Sequence, residues 1–278
     1  MRSDAVRKPA VSGIFYPETP SRLDSMVSTC MDEARPEPVK SHIFGLIVPH
    51  AGYEYSGATA GWAYKLIRGR PYRRVIVFAP SHKVDFRGAS VFQGAGYETP
   101  LGLVRIDEDI VSALLHYKES FSFISHAHGG EHSLEVQLPF LQKALEKFML
   151  IPVLIRDEDP ETLEGIVGAL AEVIPEKLRR ETLIVASSDL YHGYSYQALQ
   201  MSDGRLVEVL RAFDEELFRR ESIRGDIAAC GSAGILAAIR LTRCFGAKEI
   251  RPLHQTSSAD VTGQREGWMV GYLSAAIL

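Results

Sequence analysis

Cysteine is scarce in this chain: three among 278 residues, at Cys30, Cys230 and Cys244. An odd, small number cannot build the disulfide framework of a secreted mini-domain and points to a reducing compartment. No stretch approaches the roughly 20 consecutive apolar residues of a membrane helix. The opening Met1–Ala10 mixes Arg, Asp, Lys and Pro, without the apolar core of a signal peptide. A cytoplasmic protein with no membrane partner is the expectation. Excess positive charge is missing as well. With 31 Lys and Arg against 35 Asp and Glu, the net charge is −4, so no basic field draws nucleic acid. Repeats and low-complexity segments are absent, and so are the P-loop and Gly-x-Gly-x-x-Gly signatures, which leaves nucleotide binding unsupported.

What remains is a globular composition, 46% hydrophobic and 24% charged, in a chain long enough for a sizeable core. From about residue 43, short apolar runs alternate with longer amphipathic ones. Ile43–Val48, Arg74–Ala79, Met149–Ile155, Thr182–Ala186, Glu249–Gln255 and Trp268–Ala275 read as strands, several wholly apolar as buried strands are. Helices are expected at Ser21–Asp32, Gly57–Ile67, Glu108–His116, Leu134–Phe148, Pro160–Ile174, Gly204–Phe213 and Ser232–Cys244. Asp159-Pro160-Glu161 is a good helix start, with an N-cap Asp, Pro in the first turn and acid at the positive end. Pro139 predicts a kink or a later start in its helix. Ala34–Pro38 reads as a short linker. The pattern gives an α/β fold: one layered domain over 1–278, with a central, mostly parallel or mixed sheet flanked by helices.

Ligand sites in such sheets lie beyond the carboxyl ends of the strands. Pro49-His50-Ala51-Gly52-Tyr53 follows the first strand, Pro80-Ser81-His82 the second, and Ser187-Ser188-Asp189-Leu190-Tyr191-His192 a third. A lone strand-end histidine is most often a capping or packing residue, but three of nine at one sheet end favour a site. Neutral imidazole is both the commonest metal ligand and the usual general base near pH 7. His50 and His82 are one strand–helix–strand unit apart and can converge on one ion. A third ligand is then needed, with Asp189, Glu131, His132 and Cys230 as candidates. Cys230 precedes the apolar run Ala233–Leu241, so a helix start beside it is expected to favour the thiolate. Its bland alternative is a small buried hydrophobe. Cys30 and Cys244 read as packing residues.

His126-Ala127-His128-Gly129-Gly130-Glu131-His132-Ser133-Leu134-Glu135 is the densest polar segment. His126 and His128 read as a solvated loop, Glu131 and His132 as supports of the ligands or substrate contacts, and Ser133 as an N-cap. Ser187, Ser188, Asp189 and His192 raise a serine-hydrolase possibility. They are sequence neighbours without a Gly-x-Ser-x-Gly elbow, which weighs against it.

Val48-Pro49-His50-Ala51-Gly52-Tyr53, Pro80-Ser81-His82, Thr99-Pro100-Leu101-Gly102, Glu131-His132-Ser133-Leu134-Glu135, Ser187-Ser188-Asp189 with His192, and Cys230-Gly231 together resemble the Memo family. The likeness runs on through Ser257-Ser258-Ala259-Asp260 to the closing strand. It implies a fold similar to class III extradiol dioxygenases, where two His and one Glu bind Fe(II) and a further His serves as acid/base. Carried over, His50 and His82 are the imidazole ligands, and Cys230 stands where that pattern has its carboxylate. His192 with Asp189 handles protons, and Glu131, His132, Tyr53 and Ser81 line or support the site. The cofactor so implied is one transition-metal ion, Fe(II) first, with Cu or Zn as alternatives. Microbial members resemble the middle component of a three-part system with an Ammecr-like protein and a radical SAM protein, so these become expected partners beside a small-molecule or peptide ligand. The competing expectations are a non-catalytic binding or scaffold module using the same cleft, and a Cys230 hydrolase with His192 as base.

Overall fold

The computed structural model describes residues 4–278. Its strands are β1 (Val6–Arg7), β2 (Gly45–Val48), β3 (Arg74–Pro80), β4 (Ala89–Val91), β5 (Gly96–Thr99), β6 (Gly102–Arg105), β7 (Phe121–Ser122), β8 (Met149–Ile155), β9 (Thr182–Ser187), β10 (His192–Gly193), β11 (Ile250–Ser257) and β12 (Met269–Ile277). The middle of the main sheet runs β2-β9-β3-β8, all parallel. β12 pairs antiparallel with β2, β10 and β11 on one side, and β4 pairs antiparallel with β8 on the other. The sheet is therefore mixed around a parallel centre. β2 and β9 are buried throughout, as strands covered on both faces must be.

Helices Pro20–Glu33, Tyr53–Ile67 and Leu138–Ala144 pack together, with Tyr53–Ile67 against β2 and β12. Ser232–Phe245 lies on β9 and β3 and packs against Pro160–Val173. One hydrophobic core runs through all of these layers. Among the described residues no helix is long and apolar enough to cross a membrane.

The six expected strands are present as β2, β3, β8, β9, β11 and β12, each within two residues of its expected start and end. Helices differ more. Asp159 caps its helix as expected, accepting from Thr162 N at 3.0 Å. Tyr53–Ile67 begins four residues before the expected Gly57, and Tyr196–Ala212 eight before Gly204, because Ser195 supplies a cap by accepting from Ala198 N. Pro139 does delay its helix: a 3-10 turn at Glu135–Gln137 precedes Leu138–Ala144, which puts the proline in a first turn. Sequence periodicity did not expose the small sheet β1-β5-β6, whose pieces come from distant segments, or the helix Glu215–Arg224. Cys244 is exposed and is no packing residue, and Cys30 is half-buried.

Candidate functional site

β9 lies between β2 and β3, and Val48 pairs with Ser187 at the strand ends. His50, His82 and the Ser187–Asp189 turn are thereby delivered side by side at one edge of the sheet. Cys230 joins them from the turn before helix Ser232–Phe245. That turn can close in because Gly231 has no side chain: a Cβ there would overlap the Ser187 carbonyl oxygen. Its N–H donates to Ser188 Oγ at 2.9 Å, and Cys230 N donates to the Asp189 carbonyl at 3.1 Å. Cys230 Sγ then stands 3.2 Å from His50 Nε2, and one ligand atom each from His50, His82 and Cys230 lie within 4.8 Å of one another.

Hydrogen bonding fixes the tautomers of both imidazoles. Ser187 Oγ gives its single proton to the Ser133 carbonyl at 2.6 Å and accepts from Gln137 Nε2 at 2.8 Å. Facing His50 Nδ1 at 3.0 Å it has only a lone pair left, so Nδ1 carries the His50 proton and Nε2 is bare. Gln137 is held in turn, donating to the Pro49 carbonyl and accepting from Tyr64 Oη. On His82, Nδ1 faces Glu131 Oε1 at 2.9 Å, which makes Nδ1 the donor and again frees Nε2. Glu131 also accepts from His82 N and Ser133 N. Burial works against its charge, yet the hydrogen bonds it accepts from His82 and Ser133 hold its carboxyl well below the ordinary range. A second cluster, His82 with Glu131 and His132, offers less to a cation because that carboxylate already accepts three hydrogen bonds.

Burial, reinforced by the neighbouring His132 and His82 imidazoles with which a charged ring would compete, drives His50 well below its usual value, so it stays neutral. His132 stacks on His82 with ring centres 4.8 Å apart and is lowered to about 4, chiefly by burial. The Cys230 thiol moves opposite to expectation: burial and the neighbouring Asp189 push it up to about 12. The helix start does not create a thiolate here, because the thiol lies before the N-cap Gly231 and beside a carboxyl group. With a neutral imidazole next to a protonated thiol, the hydrolase expectation lacks its ion pair. His50, not His192, is the base beside Cys230.

Asp189 is buried, accepts from His50 N at 2.7 Å and is raised by burial to about 7. His192 gives its Nδ1 proton to the Leu190 carbonyl at 2.8 Å and keeps a lone pair on Nε2. Other expected site residues are committed elsewhere. Tyr53 is buried against Tyr16 and Phe140 with its hydroxyl on the Val136 carbonyl. Ser81 is buried and donates to the Val84 carbonyl, shaping the loop after β3. Ser188 is buried, and its hydroxyl donates to the Asp189 carbonyl. With Ser187 also committed, neither of these two serines is left as a nucleophile. Ser133 is not an N-cap; it donates to the Pro80 carbonyl.

His126 and His128 lie in a short helix, Ser125–Gly129, not in a loop; His126 is exposed as expected, but His128 is buried at 1% exposure between Ser90 and Tyr97, which lie at 3.0 and 2.7 Å from its ring nitrogens. Beneath it runs a support that sequence reading missed. Buried Arg7 donates to the His128 and Glu131 carbonyls and pairs with Glu135, which Tyr16 Oη also reaches. The amino-terminal strand thus holds the loop that carries Glu131. No sequence signal marked it: Arg7 stands beside Lys8 in a mixed polar segment.

Two cavities flank the cluster. One of about 470 Å³ includes Phe15, Gly52 and Tyr55, and the Phe15 ring lies tilted at 54° against His132 with centres 4.8 Å apart. The other, about 280 Å³, includes Tyr55, Trp268 and Tyr272, with Trp268 6.2 Å from His192 between ring centres. A larger groove of about 680 Å³ lies at the opposite sheet edge, where Arg74 and Met149 begin β3 and β8.

Comparison with known proteins matches residues 7–276 to the model of the Memo-like protein family. A MEMO1 family protein of Nitrosopumilus maritimus is 33% identical over 272 residues, covering 96% of this chain and 98% of its own. One from Thermotoga neapolitana is 33% identical over 283 residues, covering 98% and 99%, and one from Methanocaldococcus jannaschii 32% over 286, again 98% and 99%.

Proposed function

Since the chain belongs to the Memo family, we propose that it is a metal-dependent redox protein whose single ion is held by His50 Nε2, His82 Nε2 and Cys230 Sγ. One observation carries this reading: both imidazoles are locked with Nε2 bare, by Ser187 and by Glu131, and a thiol sits against one of them. Partners that orient a ligating imidazole through its other nitrogen are characteristic of metal sites. Two imidazoles and a thiolate suit borderline and soft ions, so Fe(II) is the proposed metal and Cu or Zn the alternatives that metal analysis separates. When bound, such an ion supplies Lewis acidity and electron transfer at the sheet edge.

The chain's own groups do the rest. His192 Nε2 takes a proton from a ligand in the cleft while Nδ1 stays tied to Leu190. Asp189, raised to about 7, holds a proton close to neutrality and secures the His50 backbone. His132, stacked on His82 and tilted at 54° to Phe15, forms with it an aromatic corner against which a small-molecule or peptide ligand lies. The replacement of a carboxylate by Cys230 separates this donor set from that of extradiol dioxygenases; redox chemistry is the proposed class, and ring cleavage is the specific variant that oxygen uptake tests. An Ammecr-like protein and a radical SAM protein are the proposed partners, and the cytoplasm the proposed location.

Elemental analysis of anaerobically purified protein, set against a His50→Ala/His82→Ala variant, tests the site. One ion per wild-type chain, lost in the variant, is expected. Equal metal in both overturns the proposal and leaves the cleft as a binding module.

A further inference from the structure

Asp203 is fully buried on helix Tyr196–Ala212, eleven residues after His192. Its Oδ1 accepts from Tyr191 N at 3.1 Å, while Oδ2 has no hydrogen-bond partner. A buried carboxyl with one satisfied oxygen is costly, and such a group calls for an explanation. The unpartnered oxygen lies against Gly271 of β12, where a Cβ would overlap the carboxyl group. Gly271 is also the staple of the segment that bears His192. Its carbonyl accepts from Leu190 N at 2.9 Å, and its N–H donates to the Tyr191 carbonyl at 2.9 Å. Beyond it, His192 pairs with Val270 and Gly193 with Met269.

Resting on the proton-carrying reading of His192, we propose that Asp203 and Gly271 are a positioning pair that fixes the Leu190–Gly193 strap and thereby the tautomer of His192. Tyr191 is pinned from two sides, by Asp203 at its N–H and by Gly271 at its carbonyl. The Leu190 carbonyl, one residue back, then faces His192 Nδ1 and holds the proton there. A neutral imidazole free in water prefers its proton on Nε2, so the Nδ1–H form must be imposed by this contact. A larger residue at 271 expels the carboxyl group, and an apolar residue at 203 frees the Tyr191 N–H. Either change loosens the same strap.

The test reads the ring ¹⁵N shifts of His192 in chelator-treated full-length protein, for wild type, Asp203→Asn, Asp203→Leu and Gly271→Ala. Wild type and Asp203→Asn, whose amide oxygen still accepts from Tyr191, are expected to hold the Nδ1–H tautomer. Asp203→Leu and Gly271→Ala are expected to shift to a mixture dominated by Nε2–H, and the double variant to go no further than either single one. Metal content, measured separately on untreated protein, is expected to be unchanged in all of them. If Asp203→Leu folds, melts lower and yet keeps His192 wholly Nδ1–H, the role is packing alone and the proposal fails. Should Gly271→Ala not fold, the contrast between Asp203→Asn and Asp203→Leu decides it. Absence of metal from the wild type would defeat the metal reading without touching the tautomer result.

Discussion

Ser187 can only accept from His50, because its own proton is committed to the Ser133 carbonyl at 2.6 Å while His50 Nδ1 stands 3.0 Å away. Ser187→Ala removes that acceptor and leaves an imidazole N–H buried without a partner. Metal affinity is expected to fall about 10–100-fold, the usual effect of losing a partner behind a ligand. Stability should fall by about 1–3 kcal/mol for the orphaned donor. A competition titration with a chromophoric chelator gives the first and urea unfolding the second. Unchanged affinity would mean that Ser187 does not orient a ligand.

Cys230 carries its proton in the free protein, since burial and Asp189 raise the thiol to about 12. A metal–thiolate bond must therefore expel that proton. Calorimetric titration with Zn(II) in buffers of different ionisation enthalpy is expected to show about one proton released per ion bound. Affinity should rise close to tenfold per pH unit across pH 6–8, because the thiol stays protonated throughout that window. Cys230→Ser is expected to abolish the release, and a release that persists in that variant would remove Cys230 from the ligand set.

Much of this arrangement was legible in the chain. Uninterrupted apolar runs such as Thr182–Ala186 marked buried strands, and the histidines at their ends were visible as punctuation. The partners of those histidines were not. Ser187 lies 137 residues from His50 and Glu131 49 from His82, and no local pattern relates them. His128 was misread for the same reason: the segment is polar in sequence, but Ser90 of β4 and Tyr97 of β5 arrive from elsewhere to bury it. The thiol of Cys230 was misjudged because helix position was weighed without its burial and without the Asp189 carboxyl beside it.

Arg7 and Glu135 form a pair whose side chains are 3% and 0% exposed. Arg7→Met leaves Glu135 buried, still accepting from Ala10 N and Val11 N but without a counter-charge. Losing one member of a buried pair typically costs about 3–5 kcal/mol. Because Arg7 also holds the Glu131 carbonyl, the same variant should weaken metal binding through His82. Chemical denaturation and chelator competition on one sample check both, and a stability loss under about 1 kcal/mol would show that the pair is easily replaced.

Burial raises Asp203 from an ordinary 3.8 to about 7. The native state then holds a proton that the unfolded chain has released whenever the pH lies between those values. Stability from this group is therefore fully present below about pH 4, declines as pH rises toward 7, and is flat beyond. Asp203→Asn removes the titration while preserving shape and the acceptor for Tyr191. Relative to wild type, the variant should gain stability progressively from pH 4 to 7 and keep that gain above it. At roughly 1.4 kcal/mol per pKa unit, the full difference is on the order of a few kcal/mol. Melting curves of both proteins at half-unit pH steps reveal the slope, and two parallel pH profiles would show that Asp203 ionises as readily in the fold as in water.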